Sequence, residues 1–302
     1  MKIGERLQGI IKGKVLSGEP LSDHTYFRIG GPAATMAFPA GLEDLKTLFK
    51  VAHDEAIPVL ILGGGSNMLV LDGGFEGLVI NLSRSFLELS TDGAGIRCGA
   101  GVRTSRLLAL SAKAGLTGLE GLTGVPGTVG GAIQGNAGTP LGAITDHLDW
   151  VRLLDSSGEE QFLSRQELGI AYRRAVLPLG AVVVEAAFTL QRGVSDEIRR
   201  TISRLLVRRN LTQPVEVRSA GCIFKNPSGD FAGRLVEQVG LKGLGRGGAQ
   251  ISDKHGNFIV NLGGATAADV LWLVERAMAE VKAEAGVALE LEIQIVGSPI
   301  AR

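Results

Sequence analysis

Two glycine-rich stretches, Leu62–Asn67 (LGGGSN) and Gly124–Ala132 (GVPGTVGGA), decide the fold that this chain can adopt. The first follows Pro58–Leu62, a short apolar run that predicts a buried strand. Consecutive glycines present backbone N–H groups without side-chain obstruction, and such a turn can form an anion-binding nest. Leu62–Asn67 is not a P-loop, because no Gly-Lys-Ser/Thr follows it, and it is not a Gly-x-Gly-x-x-Gly turn that opens a helix.

Each glycine-rich stretch has a structural and a functional interpretation. Either one alone is compatible with a tight turn. Ser66 and Asn67 add short polar groups that can bind phosphate, and Asn136–Gly138 follows the second stretch closely. Two such loops in one domain suit a dinucleotide pyrophosphate held from both sides, so we favour ligand binding over two unrelated turns.

Composition places the chain among folded globular proteins. Its 302 residues suit two or three domains. Its 45% of hydrophobic and 21% of charged residues are typical of a folded globular protein. The formal net charge is zero, which argues against a nucleic-acid partner, because proteins that bind phosphate backbones carry a basic excess. No apolar run reaches the roughly 18 residues that span a bilayer, so we expect a cytoplasmic protein without membrane insertion.

Neither the cysteines nor the basic residues form an obvious site. Cys98 and Cys222 are far apart and the four histidines are scattered, so we expect no metal site and no disulfide. The densest basic stretch lies on a predicted helix that ends near Arg208 and Arg209. It is either a solvated helix face or a means of reaching an anionic small molecule through those two arginines.

Predicted helices and strands are mixed along the whole chain, which indicates an α/β or α+β class. Thr266 and Asp269 have the spacing of a capping box at the start of the clearest helix. The predicted helices cover residues 1–15, 43–55, 103–114, 195–209, 231–239 and 266–285. The predicted strands cover residues 58–62, 68–71, 78–82, 150–154, 182–190, 258–260 and 289–296.

Together these motifs resemble the UDP-N-acetylenolpyruvoylglucosamine reductase family in its shorter, second type. The resemblance begins at Thr25–Gly31 (TYFRIGG), includes both glycine-rich stretches and ends at Leu289–Ile293 (LELEI). It implies an α+β fold with a vanillyl-alcohol-oxidase-like (PCMH-type) FAD-binding domain in two lobes, followed by a C-terminal α+β substrate-binding domain. The domains expected from it are an N-terminal helix at 1–19, the FAD-binding domain at 20–192 with lobes at about 20–82 and 83–192, a linking helix at 193–204, and the substrate-binding domain at 205–302.

The resemblance also implies the cofactors and the reaction. FAD would be bound without a covalent link, because Ser66 lies where many oxidases of the superfamily carry a flavin-linking histidine, and NADPH would be the co-substrate. The reaction would reduce UDP-N-acetylglucosamine enolpyruvate to UDP-N-acetylmuramate in peptidoglycan precursor synthesis. The expected FAD-binding residues are Gly63, Gly64, Gly65, Ser66, Asn67, Gly124, Pro126, Gly127, Thr128, Gly130, Gly131, Ala132, Asn136, Ala137 and Gly138.

Three residues match the family's catalytic positions. Cys222, in Ser219–Pro227 (SAGCIFKNP), replaces a catalytic serine, and a thiol with an ordinary pKa of about 8.5 is mostly protonated at neutral pH and can donate a proton. Arg173 follows a tyrosine as in the family and would clamp the substrate carboxylate, with Arg174 as the competing register. Glu292 would help to polarise that carboxylate; strand alternation alone does not distinguish it from Glu290.

Substrate contacts are the least specific part of the resemblance. Arg208, Arg209, Lys225 and Asn226 would bind the UDP diphosphate or the sugar. The segment 250–257 resembles another family motif, in which His255 is expected to be structural, and Gln294 stands where relatives often have arginine.

Two other functions remain open at this level. The first is another PCMH-type flavin oxidase acting on a sugar or alcohol, and the absent flavin-linking histidine argues against it. The second is a non-enzymatic nucleotide-binding protein, against which Arg173, Cys222 and Glu292 argue together. The oligomeric state is open, with a monomer favoured.

Overall fold

The computed structural model describes residues 3–300, which form a mixture of helices and strands. The α-helices are α1 (Ile3–Ile10), α2 (Leu42–Asp54), α3 (Thr104–Lys113), α4 (Val129–Gln134), α5 (Ser195–Thr212), α6 (Ala232–Gln238) and α7 (Ala267–Ala285). The strands are β1 (Lys14–Pro20), β2 (Pro32–Phe38), β3 (Val59–Leu62), β4 (Met68–Val70), β5 (Phe75–Asn81), β6 (Leu89–Asp92), β7 (Gly95–Gly99), β8 (Leu116–Thr117), β9 (Gly138–Thr139), β10 (Gly142–Ala143), β11 (Leu148–Leu154), β12 (Glu160–Ser164), β13 (Gly169–Ala171), β14 (Arg174–Val176), β15 (Val182–Thr189), β16 (Gln191–Arg192), β17 (Arg218–Cys222), β18 (Gly245–Arg246), β19 (Ala249–Ile251), β20 (Phe258–Asn261) and β21 (Gln294–Val296).

The chain divides into two compact units, each assembled from separate stretches of sequence. The first contains residues 1–17, 35–64 and 77–207, and the second contains residues 18–34, 65–76 and 208–302. These units divide the chain differently from the predicted domains, because 18–34 and 65–76 group with C-terminal residues. The domain limits given above stay a prediction.

The first unit contains two sheets and two hydrophobic cores, and the second sheet contributes residues to both cores. One sheet has the order β1-β2-β5-β3, with β3 and β5 parallel. Helix α2 buries Leu45, Leu48 and Phe49 in the same core as Leu78 and Ile80 of β5, as its helical periodicity predicts. The other sheet is antiparallel, with the order β12-β11-β15-β7-β6, and has its own core beneath helix α3.

The N-terminal segment was predicted as one helix over residues 1–15, and as a helical segment at 1–19 in the domain division. The structure shows a shorter helix followed by a strand. Helix α1 ends at Ile10 and strand β1 begins at Lys14, so the helical prediction was wrong beyond Ile10; residues 1 and 2 lie outside the described residues. The Asp44 carboxylate accepts hydrogen bonds from the N–H groups of Lys12 (3.0 Å) and Gly13 (2.8 Å). These bonds fix the chain in a turn, and only glycine fits at position 13, because a Cβ there would lie 2.0 Å from the Phe38 oxygen.

The second unit is built around the antiparallel sheet β17-β20-β19-β18 and helices α6 and α7. Its core includes Phe27, Ile29 and Leu69 as well as C-terminal residues. The predicted capping box of α7 is confirmed, because the Thr266 hydroxyl accepts from the Asp269 N–H (3.1 Å) and the Asp269 carboxylate accepts from the Thr266 N–H (3.0 Å).

The C-terminal segment was predicted as one alternating strand over Leu289–Val296, and this was only partly right. Its first half pairs with residues 223–225 through the Phe224–Leu291 bridge and the bond from the Lys225 N–H to the Glu290 oxygen (2.8 Å). Its second half, β21, pairs in parallel with β4. The segment therefore changes its pairing partner at Glu292, from residues 223–225 to β4. The predicted strand is interrupted at that residue.

Candidate active site

The two glycine-rich loops meet in the first unit. A Cβ on Gly64 would lie 2.7 Å from the Gly127 Cα, and one on Gly63 would lie 2.6 Å from the Thr128 hydroxyl oxygen. Gly127 also has a φ of 104°, in the region that favours glycine. The contact between these loops is thus possible only because the side chains are missing, and it brings together the two sequences that we expected to serve one ligand.

Polar groups of these loops fit a phosphate-bearing cofactor. Within residues 3–300, no backbone hydrogen bond outside the helices and strands uses the N–H of Gly63 or Gly64. The Thr123 hydroxyl, beside the second loop, is buried and has no hydrogen-bond partner among the described residues. In contrast, the N–H of Gly130 is bonded to the Ala100 oxygen (2.9 Å). Amide donors on one loop and a buried hydroxyl on the other suit the pyrophosphate and ring of a dinucleotide.

Arg173 lies at the tip of a two-residue hairpin between β13 and β14. Its φ of 58° is a left-handed conformation that costs a non-glycine residue energy. Its Nη1 donates to the Gly138 oxygen (2.7 Å), and its guanidinium carbon lies 5.5 Å from the centre of the Tyr172 ring. Arg174 is exposed on β14, whereas Arg173 is half-buried, and the choice of Arg173 as the functional arginine stays a prediction.

Cys222 ends strand β17 and is half-buried. The register of β17 against β20 shifts between Ser219 and Cys222, which is an irregularity of the kind that re-aims a side chain. Beyond it, the buried Asn257 side chain accepts from the Phe224 N–H (2.8 Å) and donates to the Phe224 oxygen (2.8 Å). This pair of bonds fixes the backbone that carries Cys222.

A half-buried arginine, Arg209, lies near Cys222. Burial lowers the pKa of Arg209, while the negative charge of a Cys222 thiolate acts to raise it. Arg209 keeps its charge, because the guanidinium pKa is too high for such a change to matter. The Arg209 Nε and the Gln213 Oε1 are buried without a hydrogen-bond partner in the part of the chain that the structure describes. Arg208, the other predicted arginine, is exposed.

Glu292 lies beside the Cys222 segment in the second unit. Its N–H donates to the oxygen of Ile223 (2.8 Å), and its own oxygen accepts from the Asn67 side-chain amide (3.0 Å). Glu290 is exposed and pairs with Lys225 (3.3 Å) instead. The choice of Glu292 over Glu290, which the resemblance made, stays a prediction. Arg173 belongs to the first unit, and its convergence with Cys222 and Glu292 on one substrate stays a prediction.

The remaining predicted substrate residues already have protein partners. Lys225 pairs with Glu290, and the Asn226 Oδ1 accepts from the Ala232 N–H (3.1 Å). Burial lowers the pKa of His255, whose Nδ1 accepts from the Asn257 N–H (3.1 Å). This supports the expected structural role of His255, whereas substrate binding by Lys225 and Asn226 stays a prediction.

Sequence reasoning missed two side chains whose hydrogen bonds hold segments that carry predicted site residues. The Asn257 side chain was not singled out as the clamp of Phe224, although an asparagine directly before the apolar run Phe258–Val260 was a signal that it would be buried. Thr145, which donates to the Asn136 side chain (2.7 Å), gave no signal in the sequence.

Among residues 3–300 no cluster of His, Cys, Asp and Glu could hold a metal ion. None of the helices in that range is long and apolar enough to cross a membrane.

Comparison with protein families first defines the class. A family model for an FAD binding domain matches residues 33–164, and one for the C-terminal domain of UDP-N-acetylenolpyruvoylglucosamine reductase matches residues 213–296. The chain is thus an FAD-dependent oxidoreductase of the α+β class, with a PCMH-type FAD-binding domain and a C-terminal substrate domain. This confirms the predicted fold and cofactor.

Comparison with individual proteins gives the family. The chain is 44% identical over 291 residues to UDP-N-acetylenolpyruvoylglucosamine reductase of Moorella thermoacetica, covering 96% of both chains, and 44% identical to that of Anaeromyxobacter sp. (95% and 90% covered). The crystal structure of the reductase (MurB) from Thermus caldophilus matches with a TM-score of 0.82 and 40% identity, over 95% of this chain and all of that one. The chain belongs to the UDP-N-acetylenolpyruvoylglucosamine reductase family.

Proposed function

We propose that this chain reduces UDP-N-acetylglucosamine enolpyruvate to UDP-N-acetylmuramate with NADPH and bound FAD. The observation that carries this proposal is the placement of the Glu292 main chain against Ile223, next to Cys222, in a chain that matches its relatives over nearly its whole length. The corresponding cellular role is peptidoglycan precursor synthesis. We expect the protein to perform it in the cytoplasm as a monomer. A sugar or alcohol oxidase is not favoured, because the C-terminal domain matches the reductase.

The residues of the two glycine-rich loops and Asn136–Gly138 would hold FAD. When bound, FAD supplies hydride transfer from NADPH to the double bond of the substrate. Addition of a hydride to the terminal carbon increases negative charge on the substrate carboxylate, so the site needs a positive charge there. Arg173 would supply it through paired hydrogen bonds, and Glu292, either protonated or through a water molecule, would polarise the same carboxylate.

The adjacent carbon must then receive a proton. The Cys222 thiol would donate it and become a thiolate, which is reprotonated from solvent before the next turnover. The positive charge of Arg209 near Cys222 stabilises that thiolate while it exists. The product thus gains two hydrogens, one as hydride and one as a proton.

The test uses the holoenzyme with NADPH and UDP-N-acetylglucosamine enolpyruvate, with mass spectrometry for a gain of two hydrogens. Cys222→Ala should still let NADPH bleach the flavin but should stop product formation, whereas Cys222→Ser should keep substantial activity. Cys98→Ala is the matched control, because Cys98 lies buried in the core of the five-stranded sheet. Normal turnover by Cys222→Ala would remove this thiol from the mechanism.

A further inference from the structure

The Asn136 side chain connects two segments of the first unit. Its Oδ1 accepts a hydrogen bond from the Thr145 hydroxyl (2.7 Å), and its Nδ2 donates to the Ala171 oxygen (3.0 Å). Thr145 is fully buried, so water cannot replace its hydroxyl. The amide of Asn136 is therefore held in one orientation, with its donor side directed at the hairpin that ends in Arg173.

That hairpin needs external support. Arg173 has a left-handed backbone with a φ of 58°, and Asn136 has a φ of 40°. Asparagine adopts this conformation readily, whereas arginine holds it at a cost in energy that surrounding contacts must offset. Here the hairpin is tied twice to the segment 136–138, once through the Ala171 oxygen and once through the bond from the Arg173 Nη1 to the Gly138 oxygen (2.7 Å).

We propose that Thr145 and Asn136 are positioning residues that fix the direction of the Arg173 guanidinium toward the substrate carboxylate. The inference rests on the proposed function, in which Arg173 binds that carboxylate. It assigns the Asn136 side chain to the arginine hairpin, although the residue lies in a segment expected to bind FAD. A carboxylate clamp requires a guanidinium plane in one fixed orientation, and the bond to Gly138 provides that orientation only while the hairpin stays in place.

Thr145→Val tests the proposal in the holoenzyme, because valine keeps the shape of threonine and removes the hydroxyl. We expect about tenfold weaker binding of UDP-N-acetylglucosamine enolpyruvate, by calorimetry, and a similar loss of flavin reoxidation by it, in line with the loss of one oriented hydrogen bond. Binding of UDP-N-acetylglucosamine, which has no carboxylate, should stay unchanged, as should flavin content and the rate of flavin reduction by NADPH. Thr145→Ser should restore the wild-type values.

Thr47→Val is the matched control, because its hydroxyl makes one bond of similar length (2.8 Å) within helix α2. If Thr145→Val does not fold, Thr145→Ala serves in its place, because the smaller alanine also removes the hydroxyl that donates to the Asn136 side chain. Equal weakening of both sugar nucleotides, or loss of flavin, would overturn the proposal.

Arg173→Lys separates this inference from the proposed function. If Arg173→Lys weakens only the carboxylate-bearing ligand while Thr145→Val changes nothing, positioning by Thr145 is wrong and the role of Arg173 stands. If Arg173→Lys leaves that ligand unaffected, the role of Arg173 and the positioning proposal both fail.

Discussion

Gly64→Ala should separate the two glycine-rich loops and weaken FAD binding. The new Cβ would lie 2.7 Å from the Gly127 Cα and 3.3 Å from the Gly127 carbonyl carbon, both of which are backbone atoms that cannot rotate away. Carbon atoms pack best at about 3.5–4.0 Å, so the loops must move apart by roughly 1 Å. Overpacking of this kind costs about 1–3 kcal/mol, which corresponds to a loss of roughly 5- to 150-fold in affinity if the strain is relieved in the FAD-free protein.

The measurement is the dissociation constant of FAD, obtained by flavin fluorescence with the apoprotein. Gly9→Ala is the control, because a Cβ at that position in helix α1 meets nothing within 4 Å. It adds the same methyl group without a clash and should leave the affinity unchanged. Wild-type FAD affinity in Gly64→Ala would refute the argument that the contact between the loops shapes the cofactor site.

Three further predictions concern stability and reactivity. Burial acts to raise the pKa of Asp44, but hydrogen bonds from three main-chain N–H groups act in the opposite direction and together outweigh it. The pKa of Asp44 therefore lies below its ordinary value. Its stabilising effect is therefore present above the unfolded pKa of about 3.9 and lost as the pH falls through the folded value. Asp44→Ala should lower the free energy of unfolding at pH 7, and the difference from wild type, measured in urea, should shrink at pH 3; a constant difference would contradict this. Asn257→Ala should cost roughly 2–4 kcal/mol by the same assay, because it leaves the Phe224 N–H and oxygen unpaired, and a loss below about 0.5 kcal/mol would be inconsistent with the clamp. Burial raises the pKa of Cys98 to about 12, so iodoacetamide at pH 8 should alkylate Cys222 only, as read by peptide mass spectrometry; labelling of Cys98 in the native protein would disprove its inertness.

Features that arise from local chemistry could be predicted from the sequence. Helix α7 was predicted from its capping box and its apolar stripe, and both are present. Helices α2 and α3 differ from prediction by one residue at each end. The glycine-rich loops were identified because repeated glycine is a strong local signal, and their common function followed from the resemblance more than from their spacing.

Features that depend on distant partners could not be predicted. The local sequence around Glu292 does not indicate that the chain changes there from pairing with Ile223 to pairing with Asn67. The same holds for Asn136, whose bond to Ala171 spans 35 residues of sequence. Periodicity describes which face of a segment is buried, but not which other segment covers it. The N-terminal helix was overextended for this reason, because strand β1 depends on its neighbour in the sheet.

The composition of the second unit has a consequence for folding during synthesis. Phe27, Ile29 and Leu69 are buried with residues beyond 208, so they leave the ribosome long before the segments that cover them. At a translation rate of about 5–20 residues per second, the delay is on the order of ten seconds. Until the last hundred residues emerge, these apolar side chains lack their native cover, and exposed apolar surface of this kind makes nascent chains prone to aggregate.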